Sequence, residues 1–179
     1  ADFDRRSLQA QLTMPTIRHI APSERVGRIL ERGDLLLEKS GGGDSQPVGC
    51  VVLYSHEVPA VCSNFISRLR LRPGNLPSFW RYWHAAAYAA GENVKAIKQT
   101  SGIQNLDVSA YLQSVAAIPS PDEQEEIARF LEEAVATLDA VADQAATISA
   151  LLGERRTALI SAAVTGQIDV RGLADAEAA

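Results

Sequence analysis

The sequence predicts an α+β fold: a mixed α/β domain over residues 1–120, a long coiled-coil helix over residues 121–166, and a tail over residues 167–179. Three observations lead to this prediction. Short apolar runs bounded by Gly, Pro and polar residues fill the first part, as strands and turns do. Pro119 and Pro121 then interrupt the chain, because the residue before a proline avoids helical geometry. Beyond them, apolar residues recur at helical heptad spacing.

Composition limits the possibilities further. Hydrophobic residues make up 46% of the 179 residues and charged residues 22%, which excludes wholesale disorder. No uncharged apolar run reaches the length of a bilayer span, and no signal peptide is visible at the start. We therefore expect no membrane segment and a cytoplasmic location. Cys50 and Cys62 are too few for a disulfide framework, and we expect both to be small core hydrophobes.

The net charge of −5 is unevenly distributed along the chain. Residues 1–120 contain 13 Lys and Arg against 10 Asp and Glu, a balance of +3, whereas residues 121–179 contain 4 against 12, a balance of −8. Such asymmetry indicates a division of labour. The first part could face phosphate, and the acidic second part would be repelled by it.

The elements of the first domain follow from the positions of apolar runs and turn signals. The patterns predict strands within residues 33–37, 49–54 and 65–71, a helix at residues 78–90 and a short helix at residues 109–115. In the third strand, arginines alternate with apolar residues, so we expect one apolar and one basic face.

The long helix has a start signal and a regular seam. Ser120 is the predicted N-cap, Pro121 the first helical residue and Glu123 the partner that completes a capping box. A rod of about 60 Å follows from the rise of about 1.5 Å per residue. It needs a partner helix, although a long helix in an ordinary bundle is the alternative. The heptad seam consists of Ile127, Leu131, Ala134, Leu138, Val141, Ala145, Ile148, Leu152, Arg155 and Leu159.

Signatures of enzymes are missing from the sequence. It has neither a phosphate-binding P-loop nor a dinucleotide-binding glycine motif. His19, His56 and His84 are scattered without metal-ligand spacing. We therefore expect a non-catalytic chain with no metal site.

Two polar segments are candidate DNA contacts. Residues 39–43 combine a lysine with small residues and glycines whose backbone could approach a phosphate, although a glycine-rich hairpin is the simpler interpretation. Residues 95–105 combine lysines, which suit phosphates and guanine, with amides, which suit adenine; a solvated loop is the alternative. Arginines of the third strand are weaker candidates, because they could lie on a solvated face. The candidate DNA contacts are Lys39, Ser40, Gly41, Gly42, Arg68, Arg70, Lys95, Lys98, Gln99, Thr100, Ser101, Gln104 and Asn105.

Four stretches, in order and spacing, resemble one family. They are residues 32–37 (RGDLLL, followed by Ser40 and Gly41), 100–106 (TSGIQNL), 118–127 (IPSPDEQEEI) and 154–170 (ERRTALISAAVTGQIDV). Together they resemble the C-terminal half of the DNA-specificity subunit of type I restriction-modification systems. The resemblance extends from about residue 14 to residue 171.

The resemblance implies a target recognition domain that reads one half of a bipartite double-stranded DNA sequence. It implies a helix that pairs in an antiparallel coiled coil and sets the distance between half-sites. It also implies that the chain binds no cofactor, and that a partner methyltransferase subunit uses S-adenosylmethionine while an endonuclease/translocase subunit joins the complex. Full-length members have about twice this length, so the pairing helix would come from a second copy or from a missing half. A coiled-coil adaptor whose globular head binds protein is the alternative function.

Overall fold

The computed structural model describes residues 3–12, 17–99 and 102–169. The chain forms two compact units, Ala1–Leu131 and Glu132–Ala179. The first unit contains two sheets. The larger sheet has the strand order β1-β2-β5-β3-β6, with β1 at Phe3–Asp4, β2 at Gln9–Ala10, β3 at Leu35–Glu38, β5 at Val51–Leu53 and β6 at Ile66–Leu69.

The smaller sheet is antiparallel throughout and has the order β4-β8-β7. Its strands are β4 at Ser40–Gly41, β7 at Ile97–Gln99 and β8 at Gln104–Leu106. It continues from the larger sheet, because β4 begins two residues after β3 ends. Two of its strands lie within residues 95–105, so that stretch is a β-hairpin rather than the loop expected from its polar sequence.

The helices are α1 at Pro22–Arg25, α2 at Pro77–Ala89, α3 at Val108–Tyr111 and α4 at Pro121–Val164. The α+β class and the long C-terminal helix are thus confirmed, as are the strands expected within residues 33–37, 49–54 and 65–71. The short helix α3 covers Val108–Tyr111 rather than the expected residues 109–115, and Asp107 is its N-cap, whose side chain accepts a hydrogen bond from the Ala110 N–H at 3.1 Å.

The core lies on both faces of the larger sheet, and β3 contributes residues to both clusters. Leu35 and Leu37 are fully buried in one cluster, whereas Leu36 lies in the other with Cys50. This division follows from the alternation of side chains along a strand. Cys62 packs against the second cluster, and both thiols are free, which confirms that the cysteines serve as small core residues.

Helix α2 contributes a buried histidine. His84 Nδ1 lies 2.8 Å from the Tyr111 hydroxyl, and the Trp80 and Trp83 rings lie against the imidazole. Burial lowers the pKa of His84 to about 4 and raises the pKa of Tyr111 to about 12. The imidazole is therefore neutral in the folded chain at neutral pH.

This histidine makes the stability of the first unit depend on pH. The unfolded chain binds a proton at the ordinary histidine pKa of about 6.5, and the folded chain only near 4. The unfolded state therefore binds more protons between these values. The free energy of unfolding decreases as the pH is lowered through that window, by about 3 kcal/mol in total. We expect His84→Gln, which keeps a polar partner for Tyr111, to lose less stability than wild type between pH 7 and 4.5 in urea unfolding. Equal losses in both proteins would contradict this.

Helix α4 begins as the sequence predicts. The Ser120 N–H donates to Glu123 Oε2 at 2.9 Å, and the Glu123 N–H returns to Ser120 Oγ at 3.4 Å, which is a capping box. Gln124, which the sequence did not single out, is fully buried. Its side chain accepts a hydrogen bond from the Leu76 N–H at 2.8 Å and donates to the Pro119 carbonyl at 2.9 Å. This glutamine attaches the first turn of α4 to the loop before α2.

Most of the α4 seam is exposed. Leu138, Val141, Ile148, Leu152 and Leu159 are each between 51% and 69% exposed. By length and composition alone the helix could also cross a membrane, which the sequence had not led us to expect. That indication is weak, and it does not account for the heptad spacing of the apolar residues.

The helix ends where the sequence suggested. Val164 is its last residue, and Gly166 has a positive φ of 73°. The N–H groups of Gly166 and Gln167 turn back to the carbonyls of Ala163 and Ala162, as at a glycine-capped C-terminus.

Candidate functional site

The two candidate DNA-contact segments meet in the smaller sheet. In its register, Ser40 is paired with Asn105, and Asn105 is paired on its other side with Lys98. The next row consists of Gly41, Gln104 and Gln99. Residues separated by about 60 positions in the chain therefore become neighbours, which spacing in the sequence could not show.

The row Ser40–Asn105–Lys98, which we call the polar row, lies on the outer face of this sheet. Asn105 and Lys98 are exposed and Ser40 is partly exposed. The Ser40 hydroxyl donates to Asn105 Oδ1 at 2.7 Å, which orients the amide. Lys98 Nζ donates to Asp107 at 2.7 Å, and this hydrogen bond is the main cause that lowers the pKa of Asp107. The row thus presents an oriented amide beside a neutralised ammonium.

Gln104 lies on the opposite face and has a different role. It is 5% exposed, and its Oε1 accepts a hydrogen bond from the buried Val48 N–H at 3.2 Å. Alternation along β8 places neighbouring amides on opposite faces. In this conformation the Gln104 side chain is unavailable to a base edge, and its hydrogen bond satisfies a buried backbone donor instead.

The glycine-rich segment forms a hairpin turn. Gly43 and Gln46 exchange two backbone hydrogen bonds of 3.1 Å. Gly42 has a φ of 62°, and a Cβ there would lie 2.8 Å from Val48 N. Gly41 has a φ of 123° and pairs with Gln104. Tight turn geometry thus accounts for these glycines, which is the simpler of the two interpretations given above.

The arginines of β6 and its extension are held by the protein. Arg70 donates two hydrogen bonds to buried Asp34 at 2.8 Å each and one to Glu31. Arg68 donates to the Ile29 carbonyl at 2.6 Å. Arg70 is therefore committed to an intramolecular ion pair, whereas Arg68 makes no ion pair at contact distance within the described residues, although its charge helps to lower the pKa of Asp34.

The remaining candidates are placed as follows. Lys95 is paired with Glu92 at 2.7 Å, and Lys39 is partly buried beside the polar row. Gln99 is the last residue of β7, and Thr100 and Ser101 lie outside the described residues. The structure therefore brings Ser40, Lys98 and Asn105 together, leaves Lys39 as the chain neighbour of Ser40, and separates Gln104 and Arg70 from them.

Sequence reasoning missed Phe65, which lies beside this face. Its carbonyl accepts hydrogen bonds from the Lys39 and Ser40 N–H groups, and the residue is 61% exposed. Phe65 directly precedes β6 in a mostly apolar run. The sequence therefore gave no reason to distinguish it from the residues that follow.

Over residues 3–12, 17–99 and 102–169, no group of three or more His, Cys, Asp or Glu side chains could hold a metal ion. Neither a protein-family model nor a curated protein matches this chain. The function therefore has to be argued from the geometry of the site.

Proposed function

We propose that this chain is a sequence-specific DNA-binding subunit of the type I restriction-modification kind, which reads one half of a bipartite target. The observation that carries the proposal is the polar row, in which residues from two candidate segments share one exposed sheet face. A head that binds only protein would not require an oriented amide between a hydroxyl and an ammonium.

The chemistry of the polar row suits a base edge. An asparagine amide can accept from N6 and donate to N7 of adenine. Asn105 Oδ1 accepts from Ser40 and has a second lone pair, and its amide nitrogen carries two N–H donors. The hydroxyl thereby reduces the side-chain freedom that Asn105 would lose on binding.

The other parts of the proposal follow from the resemblance. The subunit itself performs no chemistry and works in the cytoplasm. It scaffolds a methyltransferase subunit, which would hold S-adenosylmethionine, and an endonuclease/translocase subunit. The first unit reads DNA, and α4 sets the spacing to a second recognition domain.

We further propose that α4 pairs with α4 of a second copy in an antiparallel coiled coil. The exposed heptad seam supports pairing, since burial of apolar side chains drives helix association. A parallel pair would align Arg155 with its own copy inside the seam, and like charges would oppose it. An antiparallel pair avoids this.

The DNA proposal is tested by selection from a random duplex library followed by sequencing of the bound fraction. We expect wild type to enrich one motif and Asn105→Ala to accept other bases at one position of it, with a loss of about 1–3 kcal/mol of discrimination. Gln113→Ala removes an exposed amide outside the polar row and should leave the motif unchanged. An unchanged motif in Asn105→Ala would exclude Asn105 as a base reader.

The adaptor alternative is favoured by one observation, the neutralisation of Lys95 and Lys98 by neighbouring acids. It predicts that the library selection enriches no sequence with the wild-type chain. Enrichment of a motif by wild type would exclude it.

A further inference from the structure

A second surface of the first unit stands out by its exposure. In residues 17–29 every side chain is exposed except that of Ile20, which is partly buried, and α1 buries none of its residues. The segment is nevertheless tied to the unit by its backbone. Ile29 bridges Val61, and the Cys62 N–H donates to the Arg28 carbonyl at 3.1 Å. The backbone of residues 17–29 is therefore attached to the first unit, although the side chains of this segment do not contribute to the core.

Four arginines are concentrated on and beside this segment, and we call them the arginine surface: Arg18, Arg25, Arg28 and Arg68. Arg25 and Arg68 donate to the carbonyls of Ile20 and Ile29, which are neutral acceptors. The charge of Arg68 also acts on the Asp34 carboxylate, whose pKa it helps to lower. Among the described residues, no acidic side chain pairs with any of the four.

Four other cations of the first unit are paired with acids at contact distance. Arg5 pairs with Glu38, Arg70 with Asp34, Lys95 with Glu92 and Lys98 with Asp107. Pairing at contact distance cancels most of a cation's field beyond a few ångströms. The positive charge of the first unit therefore lies at the arginine surface and at exposed Arg72, rather than at Arg70, Lys95 and Lys98, three of the candidates predicted from the sequence.

We propose that the arginine surface binds the phosphate backbone of duplex DNA. This inference rests on the proposed function and completes it. Phosphate contacts supply most of the affinity of DNA-binding proteins, and base contacts supply the specificity. The polar row offers an amide for bases but little net charge, so the affinity has to come from another surface.

Residue type supports a phosphate ligand. Guanidinium groups present several N–H donors in a planar fork that matches phosphate oxygens. Arg25 and Arg68 are held in place by their carbonyl contacts, which lowers the entropy lost on binding. Val26 and Ile29 in the same segment are exposed apolar residues. The competing ligand for the arginine surface is therefore an acidic protein.

The test measures duplex DNA binding by the full chain over a series of salt concentrations. The variants Arg18→Gln and Arg28→Gln remove side chains that make no hydrogen bond within the described residues. We expect each to lower the affinity roughly tenfold at 0.1 M salt, and to reduce the slope of log K against log salt by about one. Arg32→Gln removes the same charge, but from a cation already paired with Glu57, and should change the affinity less than about twofold.

The outcomes separate this inference from the proposed function. Wild-type binding that neither variant weakens would overturn the arginine surface and leave the proposed function standing. A lower affinity with an unchanged salt slope would also overturn it. Wild type that binds no duplex would reject the proposed function itself. Loss of binding to a polyglutamate probe in the variants, with DNA affinity unchanged, would reassign the surface to an acidic protein and overturn the inference.

Discussion

Replacing Arg70 with Met is expected to lower the free energy of unfolding by clearly more than the loss of an exposed ion pair does. Asp34, its partner, is 2% exposed, and Arg70 donates to both carboxylate oxygens. Without the guanidinium, this buried carboxylate keeps, within the described part of the chain, the hydrogen bond from the Glu31 N–H at 2.7 Å and the weaker influence of the Arg68 charge. We place the loss at the low end for a broken buried pair because the Arg70 side chain is 42% exposed, so water can partly replace it.

The pKa of Asp34 provides a second signature of this pair. Burial alone would raise that pKa, but the hydrogen bonds from Arg70 and the Glu31 N–H, with the charge of Arg70, lower it below its ordinary value. This contribution to stability is therefore present above the ordinary carboxyl pKa and is lost as pH falls through the lowered one. We expect the gap between wild type and Arg70→Met to narrow in acid.

The control is Arg32→Met. Its ion pair with Glu57 spans 3.3 Å between side chains that are 68% and 82% exposed, and such pairs contribute about 0–1 kcal/mol. Chemical denaturation at pH 7 compares the two variants. A loss in Arg70→Met no larger than in Arg32→Met would show that the Asp34–Arg70 pair does not stabilise the fold.

Arg70 also shows what sequence could predict and what it could not. The alternation of apolar and basic residues around β6 correctly indicated a strand, because period-two patterning depends only on neighbouring residues. It could not indicate that Arg70 meets Asp34, since that contact joins residues 36 positions apart. A basic side chain on a strand predicts DNA binding and internal pairing equally well.

The candidate site was predictable as composition but not as geometry. The polar character of residues 95–105 was evident, yet it suggested a loop, whereas the stretch contains β7 and β8. Polar outer faces are common in antiparallel hairpins. The register of the sheet shows that the Asn105 amide is exposed and that the Gln104 amide is buried. Register depends on pairing across the sheet, which a single sequence does not encode locally.

The long helix was the most predictable element. Ser120, Pro121 and Glu123 form a local signal, and the structure reproduces it. Gln124 was missed because a glutamine in an acidic helix start resembles a solvated residue. Its burial depends on the Leu76 N–H, which lies in a distant loop.

For α4, we expect the purified chain to have a solution mass of about 38 kDa, twice its 19.2 kDa, by light scattering. In the proposed antiparallel pair, we expect Ile127 of one copy to lie opposite Leu159 of the other, which fixes the register. Ala134 then lies opposite Leu152 of the second copy, and Ala145 lies opposite Val141. Small residues thus face large ones along the seam, which allows close packing.

The same register places Arg155 of one copy level with Leu131 of the other. The two arginines of the pair therefore lie in separate layers of the seam, where their like charges do not oppose pairing.

Leu138→Asp is expected to have the largest effect on α4, because it places a carboxylate at a seam position that is 69% exposed in the single chain. A buried, unpaired charge opposes association strongly, so we expect a mass near 19.2 kDa. Ala136→Asp changes an exposed residue on the opposite side of the helix from the seam and should leave the dimer intact. Circular dichroism checks that both variants remain helical. A wild-type monomer would mean that the seam awaits a different helix, whereas a dimer that survives Leu138→Asp would place the interface elsewhere.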